Sequence, residues 1–109
     1  MKPNAVKRIG LVKRRKDLSY EEFTNHWLNK HAELCKKLPN MRRYAVNLLP
    51  PESAKLLGFD GFSELWFDDE EALKASLASP EGVTLLADLP NFTSAIQPIL
   101  SHEYLMLGQ

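Results

Sequence analysis

The chain has three histidines, His26, His31 and His102. They are its best-placed side chains for chemistry near neutral pH, because imidazole is the group whose ordinary pKa lies there. His31 is the most informative. At about 100° per residue, Phe23, Trp27, His31, Leu34 and Leu38 fall on one helical stripe, with the histidine among aromatic and aliphatic neighbours. Two readings stand: a general acid–base group on a pocket wall, or a core histidine satisfied by a carbonyl or carboxylate. His26 is expected at the edge of that stripe or in solvent. The two histidines are five residues apart, so a regular helix does not present them on one face as it would a metal-binding pair four apart. Glu64 lies between Phe62 and Trp66 on the same face of a strand, so its carboxylate must be paired, exposed or shifted in pKa. It could orient His31, hold a substrate hydroxyl or act as the base; pairing with Arg42 or Arg43 on an adjacent strand is the alternative. His102 and Tyr104 are expected on one face of the last strand. Cys35 has no obvious basic neighbour and reads as a buried structural thiol. With one cysteine and no second cluster, no metal site is expected.

The elements that must position these residues can be read along the chain. Residues 5–13 read as a first strand carrying Ile9, Leu11 and Val12. The helix opens at Ser19, with Glu22 completing a capping box and Leu18 and Phe23 placed for a hydrophobic staple. Leu38-Pro39-Asn40 stops it. Residues 41–49 form a second strand, 50–60 a loop containing Pro50-Pro51 and Gly58, and 62–67 a third strand after the Asp60-Gly61 turn. Asp68 is placed to cap a helix from Asp69 to about Ser79. Pro80 opens another through Leu89, and residues 97–106 close the chain as a fourth strand. Strand–helix–strand–strand–helix–strand is the α+β, ferredoxin-like order: a four-stranded antiparallel sheet with helices on one face. Ile9 and Leu11, Val46 and Leu48, and Phe62 and Trp66 are expected to make the uncovered face apolar, which points to a homodimer packed through the open sheet face.

Composition narrows the function classes. The 109 residues make one domain, 1–109, with 44% hydrophobic and 26% charged residues. Lys plus Arg and Asp plus Glu both number 14, so no overall charge draws the chain to nucleic acid or an anionic membrane. Gly58-Phe59-Asp60-Gly61-Phe62 has a superficial likeness to an RNA-recognition strand, but Ser63-Glu64, Asp60 and zero net charge argue against it. No apolar run is long enough to span a bilayer. A charged start and a single cysteine fit a cytoplasmic protein. Neither a phosphate loop, nor a dinucleotide fingerprint, nor a nucleophilic serine motif is present.

Three stretches, in order, carry a family resemblance: Lys13-Arg14-Arg15-Lys16-Asp17-Leu18-Ser19 with Glu22-Phe23 and His26-Trp27-Leu28-Asn29-Lys30-His31-Ala32; Met41-Arg42-Arg43-Tyr44-Ala45-Val46-Asn47; and Asp60-Gly61-Phe62-Ser63-Glu64-Leu65-Trp66-Phe67-Asp68. Together they resemble the EthD family, named from ethyl tert-butyl ether degradation, in the dimeric α+β barrel superfamily. The resemblance implies a dimer with a pocket between sheet and helices in each subunit, and no single reaction. It allows His31, Glu64 and Tyr44 as catalytic residues and Trp27, Asn47, Trp66 and His26 as the ligand-binding set. The leading expectation is a cofactor-independent enzyme, an isomerase, dehydratase or oxygenase acting on a small, mostly apolar oxygenated molecule. An oxidoreductase label would rest on family context alone. The alternatives are a non-catalytic carrier or accessory protein of a degradation pathway, or a haem-binding barrel.

Overall fold

The computed structural model describes residues 5–108. Strands β1 (Val6–Arg14), β2 (Arg43–Leu48), β3 (Gly61–Phe67) and β4 (Thr93–Ser101) form one antiparallel sheet in the order β2-β3-β1-β4. The first helical run comprises α1 (Tyr20–Asn25), a π-helical turn (His26–His31) and α2 (Ala32–Cys35). It packs on the same sheet face as α4 (Glu70–Ala78) and α5 (Pro80–Asp88), giving an α+β, ferredoxin-like fold. Among the described residues, no helix is long and apolar enough to cross a membrane.

Alternation along the strands assigns each residue to a face. Val6, Arg8, Gly10 and Val12 on β1, Tyr44 and Val46 on β2, and Ser63, Leu65 and Phe67 on β3 face the helices. Lys7, Ile9, Leu11, Asn47, Phe62, Glu64 and Trp66 take the open face. Val46 and Leu48 were expected on the open face; they share the phase of Tyr44, and Val46 packs against Val12, Phe23, Trp27 and Phe92. One layer therefore holds the core. One part joins Val6, Leu65 and Phe67 to Cys35, Leu38, Leu73 and Leu85, and a second sits around Phe23, Trp27 and Phe92.

The capping box forms as expected: Glu22 N–H donates to Ser19 Oγ at 3.0 Å, and Ser19 N–H to Glu22 Oε1 at 2.8 Å. Asp69, one residue later than expected, caps α4 by accepting from Ala72 N–H. Two elements differ more substantially. Residues 51–57 form helix α3 rather than loop, because Pro51 occupies the first helical position, where a missing N–H costs nothing. Gly58, at φ 84°, supplies its left-handed C-cap. The last strand is Thr93–Ser101, not 97–106; Pro98 is tolerated inside it because β4 is an edge strand. His102 and Tyr104 thus lie beyond the strand, in exposed chain.

Candidate active site

The π-helical turn organises the site. Ala32 N–H donates to Trp27 C=O, five residues back, and the i→i+5 spacing sets residues five apart on one face. His26 and His31 therefore converge, although a regular helix would separate them. His26 was expected at the stripe edge or in solvent, but its side chain is mostly buried. Both histidines meet Asp88, the last residue of α5. His31 Nδ1 lies 2.9 Å from Asp88 Oδ2, and His26 Nε2 is 3.0 Å from Oδ2 and 3.1 Å from Oδ1. Asn91 Nδ2 donates to Oδ1 at 2.9 Å. Phe92 supports both rings, nearly parallel to His26 at a 4.9 Å centroid distance and tilted against His31 at 4.7 Å.

Asp88 sits against two adverse conditions. It is 4% exposed, and it occupies a helix C-terminus, where the macrodipole disfavours an anion. Burial alone would raise its pKa, but hydrogen bonds from Asn91, His31 and His26 outweigh that and hold it below the usual carboxylate value. An ionised carboxylate only accepts, so His31 carries its proton on Nδ1. Burial pushes the His31 pKa down, with Asp88 opposing in part, so the ring is neutral near pH 7. Its Nε2 is left with a lone pair and makes no hydrogen bond to any described residue. A carboxylate that fixes the tautomer and leaves the far nitrogen basic is the arrangement of a general base with its orienting partner.

His31 lines a narrow cleft between the first helical run, α5 and the sheet, with a cavity volume of about 30 Å³. Leu85, Leu86, Leu89, Ile96 and Pro98 supply apolar wall; Arg8, Tyr44, Cys35 and Ser63 supply polar groups, and Trp27 closes one side. Trp27 can lie close over β3 because Gly61 has no Cβ: one built there would fall 2.8 Å from the indole. The Tyr44 hydroxyl is buried beside the Cys35 thiol, a weak acceptor, and burial raises its pKa. Burial likewise pushes the Cys35 thiol up to about 12, which removes it as a nucleophile at neutral pH.

The structure thus gathers His31, Tyr44, Trp27 and His26 on the helix side. It does not bring Glu64, Asn47 or Trp66 to them, because these three project from the opposite face of the sheet. Glu64 cannot orient His31: it accepts instead from Lys7 Nζ at 2.9 Å and Asn47 Nδ2 at 2.8 Å. Trp66 is sandwiched by the cations of Lys7 and Arg43, 5.2 Å and 4.5 Å from its ring. Arg42, the other suggested partner of Glu64, pairs with Asp68. Sequence reasoning missed Asp88, although its spacing from Gly82 and Leu85 places a carboxylate on the buried face of α5.

Among the described residues, no group of three or more His, Cys, Asp or Glu is arranged to hold a metal ion. His26, His31 and Asp88 turn towards one another rather than towards a shared vacancy. The residues present do not fit a haem either. The one cleft imidazole is packed on Phe92, and the walls beyond it are core side chains of α5 and the sheet.

Comparison with known proteins agrees with this architecture. An EthD family protein of Bacillus halodurans C-125 superposes with a TM-score of 0.77 at 25% identity, covering 92% of this chain and 99% of its own. A hydroxynitrile lyase of Passiflora edulis gives 0.76 at 16% identity, covering 97% and 99%. SnoaB, a cofactor-independent oxygenase of Streptomyces nogalater, gives 0.72 at 14% identity, covering 97% and 99%. The family model for the EthD domain matches residues 15–95, so the chain belongs to the EthD family.

Proposed function

We propose that this protein is a cofactor-independent acid–base catalyst that moves a proton at a carbon next to a carbonyl in a small, mostly apolar molecule such as a cyclic ketone or lactone. The observation that carries the reading is the Asp88–His31 pair, with Nε2 lone and directed away from its orienting carboxylate, in a cleft of apolar walls. Such a step needs a base, a donor for the enolate oxygen and little water. His31 is the base, and the Tyr44 hydroxyl, held only by the weakly accepting Cys35 thiol, is the donor within the same cleft. Trp27 and the leucines of α5 exclude water, while His26 shares the charge of Asp88 and holds it in place. The fold likeness to a cofactor-independent oxygenase and a hydroxynitrile lyase supports a scaffold compatible with such chemistry. The test is deuterium uptake from D2O into a panel of ketones and lactones, followed by NMR. The native protein accelerates exchange above buffer, and His31→Gln lowers the rate ~10²–10⁴-fold with the fold intact. Exchange unchanged in His31→Gln overturns the assignment.

We further propose that the working form is a homodimer joined through the open sheet face. Ile9, Leu11, Phe62 and Ile99 leave apolar surface there, and Leu105, Met106 and Leu107 are exposed beyond β4. Light scattering gives twice the chain mass, and Phe62→Lys shifts it to the monomer. A native protein that stays monomeric at micromolar concentration removes this reading. A reducing compartment fits the free, buried Cys35.

A further inference from the structure

β1 sends Val6, Arg8, Gly10 and Val12 to the helix side. Val6 and Val12 are core residues, yet Arg8 between them carries a cation into the same layer. The other four arginines are engaged. Arg14 donates to the Arg15 and Leu18 carbonyls, Arg15 pairs with Asp17, Arg42 with Asp68, and Arg43 lies over Trp66. Arg8 makes no hydrogen bond or ion pair to any described residue. Burial pushes its pKa down, and the Cys35 thiol is the one group that opposes this. A guanidinium remains charged at any ordinary pH, so five N–H donors stand unused in a partly buried position. Evolution rarely leaves such a cost uncompensated unless a ligand meets it.

The surroundings show what that ligand looks like. The guanidinium folds back along the strand over Gly10: a Cβ built there would lie 3.4 Å from Arg8 Nη1 and 2.9 Å from Ser63 Oγ. Gly10 therefore forms an open floor between the cation and the Ser63 hydroxyl, which makes no hydrogen bond to any described residue. The buried Tyr44 hydroxyl, beside the weakly accepting Cys35 thiol, lines the same cleft. The Arg8 guanidinium and the Ser63 hydroxyl, two donor groups without acceptors around one floor, call for an oxyanion. One guanidinium balances one negative charge, and its planar fork matches a carboxylate's two oxygens. A phosphate would bring a larger charge into a cleft whose remaining wall is leucine, isoleucine and proline.

We propose that Arg8, with the Ser63 hydroxyl, binds a carboxylate of the substrate and leaves the Tyr44 hydroxyl for the enolate oxygen, so that the substrate class is a small apolar ketone or lactone bearing an acid group. The subsite lies in the same cleft as His31, and its assignment to a substrate rests on the proton-transfer reading above. The acid group is the anchor, and the C–H to be deprotonated lies further along the cleft, towards His31.

The probes are 4-oxopentanoate and its methyl ester, which differ only in the charge of the anchoring group. Calorimetric titration should show the acid binding at least about tenfold more tightly than the ester. Arg8→Gln should weaken the acid about 10- to 100-fold, the loss of a charge-assisted pair of hydrogen bonds, and leave the ester unchanged. Arg8→Lys should recover part of that loss, since it restores the charge without the fork. Gly10→Ala should weaken the acid by filling the floor. Arg8→Gln should melt at the same temperature as native or higher, because it removes an unpaired buried charge. His31→Gln should keep acid affinity within about twofold while losing deuterium exchange. Equal binding of acid and ester, no detectable binding of the acid, or acid affinity unchanged in Arg8→Gln overturns the subsite. So does a loss in Arg8→Gln of acid and ester affinity together with melting temperature, which marks Arg8 as structural. Arg8-dependent binding without any exchange leaves the subsite standing and removes the proton-transfer reading instead.

Discussion

The two faces of the sheet treat charge in opposite ways. On the open face, Lys7, Glu64, Asn47, Arg43 and Glu103 close around Trp66 in a set of contacts that leaves each charged group partnered. Burial opposes the Lys7 ammonium, yet its hydrogen bonds to Glu64 and Glu103 hold its pKa above the ordinary value. On the helix side, the carboxylate of Asp88 is saturated, but the groups facing the cleft are not. His31 Nε2, the Arg8 guanidinium and the Ser63 hydroxyl lack a partner among the described residues, and the Tyr44 hydroxyl has only the weakly accepting Cys35 thiol beside it. Satisfied polar groups fix a structure; unsatisfied ones, held rigid by satisfied neighbours, are what a ligand can address. A glutamate in an apolar strand is the more conspicuous feature in the sequence, yet the less available one in the fold.

The sharpest way to break this comparison is to turn the His31 ring over without emptying its pocket. Asp88→Asn keeps the shape, but its amide can donate to Nδ1, which moves the imidazole proton to Nε2. The cleft then meets an N–H instead of a lone pair. We expect exchange catalysis to fall ~10²–10⁴-fold, comparable to removing the base. Nitrogen NMR of the imidazole should report the tautomer change while the backbone spectrum stays native. Unchanged catalysis with the tautomer inverted would mean that the lone pair on Nε2 takes no proton from substrate.

Much of this architecture can be read in the residues, and what cannot has identifiable causes. The capping box at Ser19 and Glu22, the apolar stripe through Trp27 and His31, and the alternation of β3 each encode local geometry within a few residues. Asp88 lies 57 positions from His31, and no local pattern states that pairing. The π-helical turn is the second cause. Regular helical spacing sets His26 away from His31, and only the wider turn brings both to one carboxylate. Glu64 misleads for a third reason. Alternation gives the phase of a strand correctly but does not say which phase meets the helices, so in the sequence Glu64, Asn47 and Trp66 read as part of a site that lies on the other side of the sheet. Pro50-Pro51 reads as a break, although a proline at the first position starts a helix as readily as it stops one.

A pH titration of stability sharpens the comparison at intermediate size. The folded-state pKa of His31 is depressed by burial below its ordinary 6.5. The unfolded chain therefore binds more protons as pH falls through that region, and stability present above about pH 6.5 is lost as the pH drops towards the folded value. Asp88 has the same sign in a lower window: its folded pKa is below the ordinary 3.8, so its contribution is present above that pH and lost below it. Melting temperature should thus decline between pH 7 and 5, and His31→Gln should flatten that decline while leaving the acid-side loss near pH 4 and below in place. Equal slopes in native and His31→Gln proteins would mean that the ring is not held neutral by its surroundings.

The smallest expected effect comes from the open face, and its smallness is the point. Glu64→Gln keeps one acceptor oxygen, which can serve Asn47 Nδ2, and gives up the acceptor for Lys7 Nζ together with the charge. Lys7 retains Glu103 at 3.1 Å, so no cation is left unpaired. The side chains of Lys7 and Glu64 are 14% and 18% exposed in the single chain, so the lost attraction is that of a partly screened pair, about 1 kcal/mol. Catalysis should stay within about twofold of native, since the sheet stands between Glu64 and the cleft. If the dimer covers this face, screening is reduced, and the same substitution costs more as dilution is opposed by association. Denaturation at two protein concentrations, each with native and Glu64→Gln, separates the cases. A drop in exchange rate as large as that of Asp88→Asn would show that the two faces are coupled, and the division between a structural and a functional side of the sheet would fail.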